Sequence, residues 1–236
     1  MATLTPVGIL GGTFDPIHNG HLRLAEEVAG LLDLTQIRFI PTGTPPHRAQ
    51  PAGSNAQRAE MVRLAIAGNP RFMMDERELV RPGQSYSFDT VIELRATLPP
   101  RTPVVLMMGA DAFLSLPGWH RWRELLEICH IVVAQRPGYS VTSWESALAP
   151  ELWEAFANRS VVNMSPLRGS PGGRIAIHTM TALDISASLL RSQLRSGVSP
   201  RYLLPDAVLD YIHRNGLYAT PDNANPVTGQ APSHHA

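Results

Sequence analysis

The sequence contains no lysine. All 20 of its strong cations are arginine, they face 20 carboxylates, and the formal net charge is zero. A chain so balanced has no excess of cation to lay along nucleic-acid phosphates or an anionic membrane surface. It keeps room for a local arginine cluster that grips one small phosphorylated ligand. Without lysine there is no standard G-x-x-x-x-G-K-[ST] loop, and the dinucleotide pattern G-x-G-x-x-G is missing too. A single cysteine, Cys129, excludes an internal disulfide and a secreted cysteine framework. Long apolar runs are also missing: Val104 to Met108 falls far short of the ~20 residues that span a bilayer. Met1 to Pro6 has neither a basic region nor a long apolar core of the signal-peptide kind. A cytoplasmic protein that neither crosses a membrane nor binds nucleic acid is expected.

What is present is an ordinary globular composition, 44% apolar and 17% charged over 236 residues. β-type runs alternate with helical patterns. Strands are expected at Val7–Gly11, Gln36–Ile40, Phe72–Glu76, Pro103–Met108, His130–Ala134 and Arg174–Thr179, the last of them nearer an edge. Helices are expected at Gly20–Leu32 (Leu22, Ala25, Val28, Ala29 and Leu32 inward), from the capping box Ser54–Gln57 onward (Met61, Leu64, Ala65), at Ser87–Leu98 (Phe88, Val91, Ile92), at Ser186–Ser196 and at Pro205–Arg214. This alternation predicts a Rossmann-like α/β fold: a doubly wound, mostly parallel sheet with helices on both faces. Residues 1–220 read as one domain, with an irregular insertion at 138–173 (one helix near Trp144–Asn158) and a C-terminal helical part at 186–217. Residues 221–236 read as an unordered tail.

The most informative segment is Gly11-Gly-Thr-Phe-Asp-Pro-Ile-His-Asn-Gly-His21, where the first strand gives way to the first helix. Gly11 and Gly12 let the backbone approach a phosphate. His18 and His21, three apart across Gly20, aim both imidazoles one way at a helix N-terminus, whose N–H groups and dipole favour anions. A glycine-rich turn alone is a weak signal. A zinc reading of the two histidines has no cysteine and no third ligand at standard spacing. A second segment, Ile185-Ser-Ala-Ser-Leu-Leu-Arg191, opens a late helix. Its hydroxyls can cap the helix or bind phosphate, and Arg191 can either reach the same anion or lie on a solvated face.

Together the two segments resemble the nucleotidylyltransferase superfamily of H-x-G-H type. The resemblance narrows to the bacterial nicotinate-nucleotide adenylyltransferases through Gly11–Leu22, Pro45-Pro-His-Arg48, Asp75-Glu-Arg-Glu78, Ser85-Tyr-Ser87, Gly109-Ala-Asp111, Trp119 and Arg136-Pro-Gly138, in that order. It runs from about Val7 to Tyr218.

That resemblance implies adenylyl transfer from ATP to nicotinate mononucleotide, giving deamido-NAD and pyrophosphate in a late step of NAD biosynthesis. It assigns ATP to Gly11, Gly12, Thr13, Phe14, His18, His21, Asp111, Ile185, Ser186 and Arg191. His18, His21 and Arg191 are the catalytic members, and Mg²⁺ is carried on the ATP phosphates with no protein ligand assigned. Asp111, after an apolar strand, can accept from ribose hydroxyls or cap a helix. The mononucleotide falls to His47, Arg48, Tyr86, Ser87, Trp119, His120 and Arg136, against plainer readings of His47 and Arg48 as a solvated loop, Arg136 as the support of a loop and Trp119 as core. Trp119 offers a stacking face, and donors at Tyr86, Ser87 and the main chain around Trp119 and His120 face the nicotinate carboxylate. A buried mispairing with an amide costs ~1–3 kcal/mol, a preference of about tenfold to hundredfold. Departures are small: Ser87 stands where threonine is frequent, and Ala187 where related transferases often carry a hydroxyl. The alternatives are a nicotinamide-mononucleotide or phosphopantetheine adenylyltransferase, an aminoacyl-tRNA synthetase (whose second signature needs lysine) and a non-catalytic nucleotide sensor. Assembly as a homo-oligomer stays open.

Overall fold

The computed structural model describes residues 5–44, 50–135 and 148–219. His47, Arg48, Arg136, residues 138–147 and the tail lie outside the described residues. Seven strands form one sheet: β1 (Val7–Gly12), β2 (Gln36–Pro41), β3 (Phe72–Met74), β4 (Val104–Gly109), β5 (His130–Gln135), β6 (Ser160–Val161) and β7 (Ile175–Thr179). Their order is β3-β2-β1-β4-β5-β7-β6. Every pairing among them is parallel, which sharpens the expectation of a mostly parallel sheet. β7 is last but one, because the two-residue β6 from the insertion covers it. The other expected strands, and the helices expected at Gly20–Leu32, from Ser54, at Ser87–Leu98, Ser186–Ser196 and Pro205–Arg214, fall within a few residues of their places, while the helix expected near Trp144–Asn158 is described from Pro150 to Arg159.

The helices are α1 (Asn19–Leu32), α2 (Asn55–Ile66), α3 (Arg77–Val80), α4 (Ser87–Arg95), α5 (Ala110–Leu114), α6 (Trp122–Ile128), α7 (Pro150–Arg159), α8 (Ala187–Arg195) and α9 (Asp206–Arg214). Successive strand residues point to opposite faces, so each buried strand feeds two cores. Leu10, Phe39, Val105 and Val132 meet α1, α2, α8 and α9 on one side. Val7, Ile9, Leu106 and Val133 meet α4, α5, α6 and α7 on the other. β1 leads outward to β2 and β3, then the chain crosses back to lay β4 on β1's other side. The carboxyl ends of β1 and β4 therefore border the switch-point crevice where such sheets bind ligands. Among the described residues no helix is long and apolar enough to cross a membrane.

Some inward positions differ from expectation. Ile92 is 44% exposed, because α4 turns Phe88, Val91 and Leu94 to the core and leaves Ile92 beside them. Leu24 is buried in place of the half-buried Leu22. In α2, Val62 and Ile66 join Met61 while Leu64 and Ala65 sit at the margin. α4 stops at Arg95, before Pro99, where the Thr97 hydroxyl donates to the Leu94 carbonyl at 2.7 Å.

Two hydrogen-bonded knots brace opposite ends of the β5–β7 half of the sheet. At the start of β5, His130 donates from Nε2 to the Ser170 carbonyl at 2.8 Å while its Nδ1 accepts from Arg174 N–H at 3.1 Å. Next to it Cys129 is fully buried, and burial pushes its thiol up to about 12. Gly172 crosses so close that a Cβ would lie 2.6 Å from the Cys129 nitrogen.

The second knot is Glu27 on α1, which accepts from His178 Nε2 at 2.6 Å, from Arg23 Nε at 2.6 Å and from Thr181 N–H at 3.2 Å. It ties α1 to the exit of β7. Burial alone would raise its pKa; hydrogen bonds from Thr181, His178 and Arg23 outweigh burial and hold the carboxyl down at about 2. A carboxylate depressed in the folded state contributes fully above its ordinary value of 4.5, and the contribution is lost as pH falls through about 2. Glu27→Gln is expected to cost roughly 1–3 kcal/mol at neutral pH. Urea titrations should show the gap to wild type narrowing once the pH drops below 4.5. A gap that stays constant throughout the acid range would show that the charge on Glu27 is not what holds this segment.

Candidate active site

The site begins where β1 ends. Phe14 takes a left-handed φ of 49° and buries its ring against Phe39, 6.1 Å away, and edge-on to His21 at 5.0 Å. Above the strand end the protein leaves space: a Cβ on the exposed Gly11 would meet nothing nearer than the Ile40 carbonyl at 4.0 Å. His18 is the N-cap residue of α1, and its ring stacks on that of His21 with centroids 3.7 Å apart and planes 23° apart. Two imidazoles three residues apart do therefore face one way. His21 Nδ1 accepts from the His18 N–H at 3.3 Å, which in the neutral ring leaves Nε2–H as the donor. Burial, then the neighbouring His18, lowers the His21 pKa well below its ordinary value, so the ring is neutral at physiological pH.

The helix start is less open than its sequence implies. Of the first three N–H groups of α1, Asn19's donates to the Leu203 carbonyl at 2.9 Å and His21's to the His18 carbonyl at 2.9 Å. The anion site thus leans on the imidazoles more than on the helix end. Gly20 lies directly under the ring: a Cβ there would stand 3.1 Å from both Cε1 and Nδ1 of His18. Gly20→Ala should make α1 about 1 kcal/mol more stable by propensity. It should also tilt the His18 ring and lower kcat/KM several-fold. A variant with both stability and turnover raised would show that the ring has room to yield.

The late segment joins the same turn. α8 starts after Ser186, whose Oγ accepts the Leu189 N–H at 3.2 Å, so capping is one role of that hydroxyl. Ile185 before it is buried in the core. One turn on, Arg191 donates from Nη1 to the Asp15 carbonyl at 2.6 Å, lies 3.7 Å from Asp15 Oδ2, and donates from Nη2 to Ser188 Oγ at 3.3 Å. The solvated-face reading of Arg191 is thereby replaced: its guanidinium sits on the turn between β1 and His18.

Across the crevice, Asp111 is exposed at the second position of α5, just beyond the end of β4. Gly109 is the N-cap there, so the capping alternative for Asp111 falls away. Tyr86 is the N-cap of α4 and Ser87 its first residue. The Tyr86 ring lies 4.5 Å from that of His120, and Trp119, half-buried, packs on the second core at the same place. The Trp119 N–H is spent on the Leu116 carbonyl at 2.9 Å, which removes one of the expected main-chain donors. Arg121 closes this end with its guanidinium 3.8 Å over the Phe88 ring, a cation–π contact that seats the turn on α4.

The loop carrying His47 and Arg48, themselves outside the described residues, is hung from the site at both ends. At one end the Ser85 N–H donates to the Thr44 carbonyl at 3.0 Å. Just before it Gly43 passes Glu78 so closely that a Cβ would lie 2.1 Å from the Glu78 carbonyl oxygen. At the other end the Ala52 and Gly53 N–H groups donate to Asp15 at 2.8 and 3.0 Å. Behind them lies Arg58, fully buried, donating to the Thr13 and Thr42 carbonyls and to Asn55 Oδ1, each at 2.7 Å. Asp15, Arg58 and Tyr218 are the residues the sequence did not single out.

A stacked imidazole pair and a guanidinium converging on one turn, at the crevice of a parallel sheet, are suited to hold a triphosphate while a nucleotidyl group changes hands. The model of the cytidylyltransferase-like family matches residues 9–193, and the chain belongs to that family. A probable nicotinate-nucleotide adenylyltransferase of Dechloromonas aromatica is 47% identical over 213 residues, covering 90% of this chain and 97% of its own length. One of Pseudomonas syringae pv. tomato is 48% identical over 216 residues, covering 92% and 95%. Within the family, the chain belongs with the nicotinate-nucleotide adenylyltransferases. In fold it is similar to the Plasmodium falciparum nicotinic acid mononucleotide adenylyltransferase solved with NaAD, at a TM-score of 0.68 and 14% identity over 91% of this chain and 97% of that one.

Proposed function

We infer that this chain carries out the transfer for which its relatives are named: the adenylyl group of ATP passes to the phosphate of nicotinate mononucleotide, giving deamido-NAD and pyrophosphate. A phosphate oxygen of the mononucleotide attacks the α-phosphorus of ATP in line, the new P–O bond forms, and the bond from the α-phosphorus to the bridging oxygen breaks as pyrophosphate leaves. No side chain is covalently modified, so the protein contributes position and charge. The observation that carries this reading is the contact of Arg191 with Asp15, which sets a guanidinium beside the His18–His21 turn.

In this reading His21 donates from Nε2 to the α-phosphate oxygens as negative charge gathers there, and His18 stacks behind it and shares the load. Burial keeps the His21 ring from taking charge. A bound triphosphate reverses that balance, since opposite charge at short range favours imidazolium. Arg191 and Ser186 hold the β- and γ-phosphates that depart. The Gly11–Phe14 main chain lines the triphosphate, Ile185 sets the base of α8, and Asp111 accepts from ribose hydroxyls. Tyr86, Ser87, Trp119 and His120 receive the nicotinate ring, with His47, Arg48 and Arg136 on the mononucleotide phosphate.

A Mg²⁺ ion carried in by ATP would neutralise charge on the leaving pyrophosphate. Among the described residues no group of three or more His, Cys, Asp or Glu could hold a metal ion. The carboxylate of Asp15 is already occupied by Ala52, Gly53 and Tyr218. A free, buried thiol accords with a cytoplasmic setting.

Pyrophosphate release with ATP, Mg²⁺ and a panel of acceptors tests the reading. Nicotinate mononucleotide should lead nicotinamide mononucleotide by about tenfold to hundredfold in kcat/KM, and phosphopantetheine should be inert. Equal rates with the two mononucleotides would overturn the substrate; ATP binding without pyrophosphate from any acceptor would favour a nucleotide sensor.

A further inference from the structure

Four segments remote in sequence meet at Asp15, which is 4% exposed. Its Oδ2 accepts from Ala52 N–H at 2.8 Å, and its Oδ1 accepts from Gly53 N–H at 3.0 Å and from the Tyr218 hydroxyl at 2.6 Å. Its main-chain carbonyl accepts from Arg191 at 2.6 Å. Tyr218 stands beyond the last helix, with a left-handed φ of 65° that turns its side chain back into the molecule. A carboxylate can only accept, so the phenol must donate. Burial, then the bond to Asp15, raises the phenol pKa above its ordinary value, which keeps the proton in place. Gly53 permits this approach: a Cβ there would lie 3.0 Å from Asp15 Oδ1 and 3.4 Å from the Tyr218 oxygen.

We propose that Tyr218 is a positioning residue for the transfer: by clamping the Asp15 carboxylate it fixes the guanidinium of Arg191 on the turn. Asp15 Oδ2 faces both Ala52, at 2.8 Å, and Arg191, at 3.7 Å. With the hydroxyl gone, Oδ1 is held by Gly53 alone, and the carboxylate can swing away from the cation. Tyr218 itself touches no reacting atom in this scheme. The proposal rests on the adenylyl-transfer reading above.

The test is a double-mutant cycle of Tyr218→Phe and Arg191→Ala, read by kcat and KM for both substrates, by the dissociation constant of ATP–Mg²⁺ and by thermal melting. Tyr218→Phe keeps the ring and the fold. It is expected to lower kcat about tenfold, the loss of one hydrogen bond to a charged group, and to weaken ATP binding several-fold with little change in Tm. The double variant should match Arg191→Ala within about twofold, because Tyr218 acts through a guanidinium that is no longer there. Gly53→Ala, pressing on the same carboxylate from the other side, should reproduce the loss.

Full kcat in Tyr218→Phe, or losses that multiply in the double variant, would overturn the proposal; so would a fall in Tm with turnover per folded molecule unchanged. Should the wild type make no deamido-NAD, the adenylyl-transfer reading fails instead. The ATP dissociation constants of the same four proteins then decide the Tyr218 clamp independently, non-additive weakening supporting it and additive or no weakening overturning it.

Discussion

His21→Ala should lower kcat by about 10²- to 10³-fold, the penalty typical of removing one preorganised donor to developing negative charge. The effect belongs in kcat because the ring's contribution grows as charge builds on the phosphate in the transition state. On the proposed reading ground-state ATP would keep Arg191, Ser186 and the main chain around Gly12, so its dissociation constant should rise only several-fold. His21 is singled out over His18 by its hydrogen bonding: Nδ1 is committed to the His18 N–H, which settles which nitrogen carries the proton. Single-turnover formation of deamido-NAD at saturating ATP separates chemistry from binding. Undiminished turnover would remove His21 from the mechanism, and a loss confined to KM would assign it uniform binding instead.

Arg58→Met should be the most destabilising single change in the vicinity. The guanidinium is fully buried and gives hydrogen bonds at 2.7 Å to the Thr13 carbonyl, the Thr42 carbonyl and Asn55 Oδ1. Methionine of similar length keeps most of the packing and leaves three oxygens without that donor. Each such loss is worth about 1–3 kcal/mol. Set against this, a buried cation no longer has to be desolvated, a gain visible in the lowered pKa of Arg58, for which burial is the first cause. The unpaired acceptors win because the cavity was shaped for them, and a net cost of about 3 kcal/mol is expected. For a chain of this size that corresponds to a fall in Tm of roughly 6–12 °C. On the proposed reading Thr13 lines the triphosphate and Thr42 leads toward His47 and Arg48, so KM should rise for both substrates even well below Tm. A melting curve within about 2 °C of wild type would show that water replaces the guanidinium at little cost.

The frame of the fold was legible because it is written in local chemistry. Apolar runs marked β1, β4 and β5. The Ser54–Gln57 box forms as written, with Gln57 N–H on Ser54 Oγ at 3.3 Å and Ser54 N–H on Gln57 Oε1 at 2.9 Å. Ser186 caps α8, and Gly197, at φ 70°, follows its end. α3 and α5 escaped because four or five residues carry too little periodicity to read. α6 did leave a trace in Trp122, Leu125 and Leu126, the i, i+3, i+4 stripe that is buried. In the site, His18, His21 and Arg191 were visible as residue types at meaningful spacings. Asp15, Arg58 and Tyr218 were not, since their partners are main-chain groups and side chains far along the chain. Asp15 to Tyr218 is a contact across 203 positions, and no pattern along the chain encodes it.

The placement of Cys129 makes the molecule its own gauge of opening. The sole sulfhydryl lies under the Gly172 crossing, with no surface exposed and an acidity suppressed by burial. An alkylating reagent can reach it only when α6 and the start of β5 part from the segment above them. The rate of modification therefore counts excursions of the distal half of the sheet, with no engineered label. Comparing that rate with and without nucleotide would report whether filling the crevice at the strand ends quiets the opposite end of the same strands.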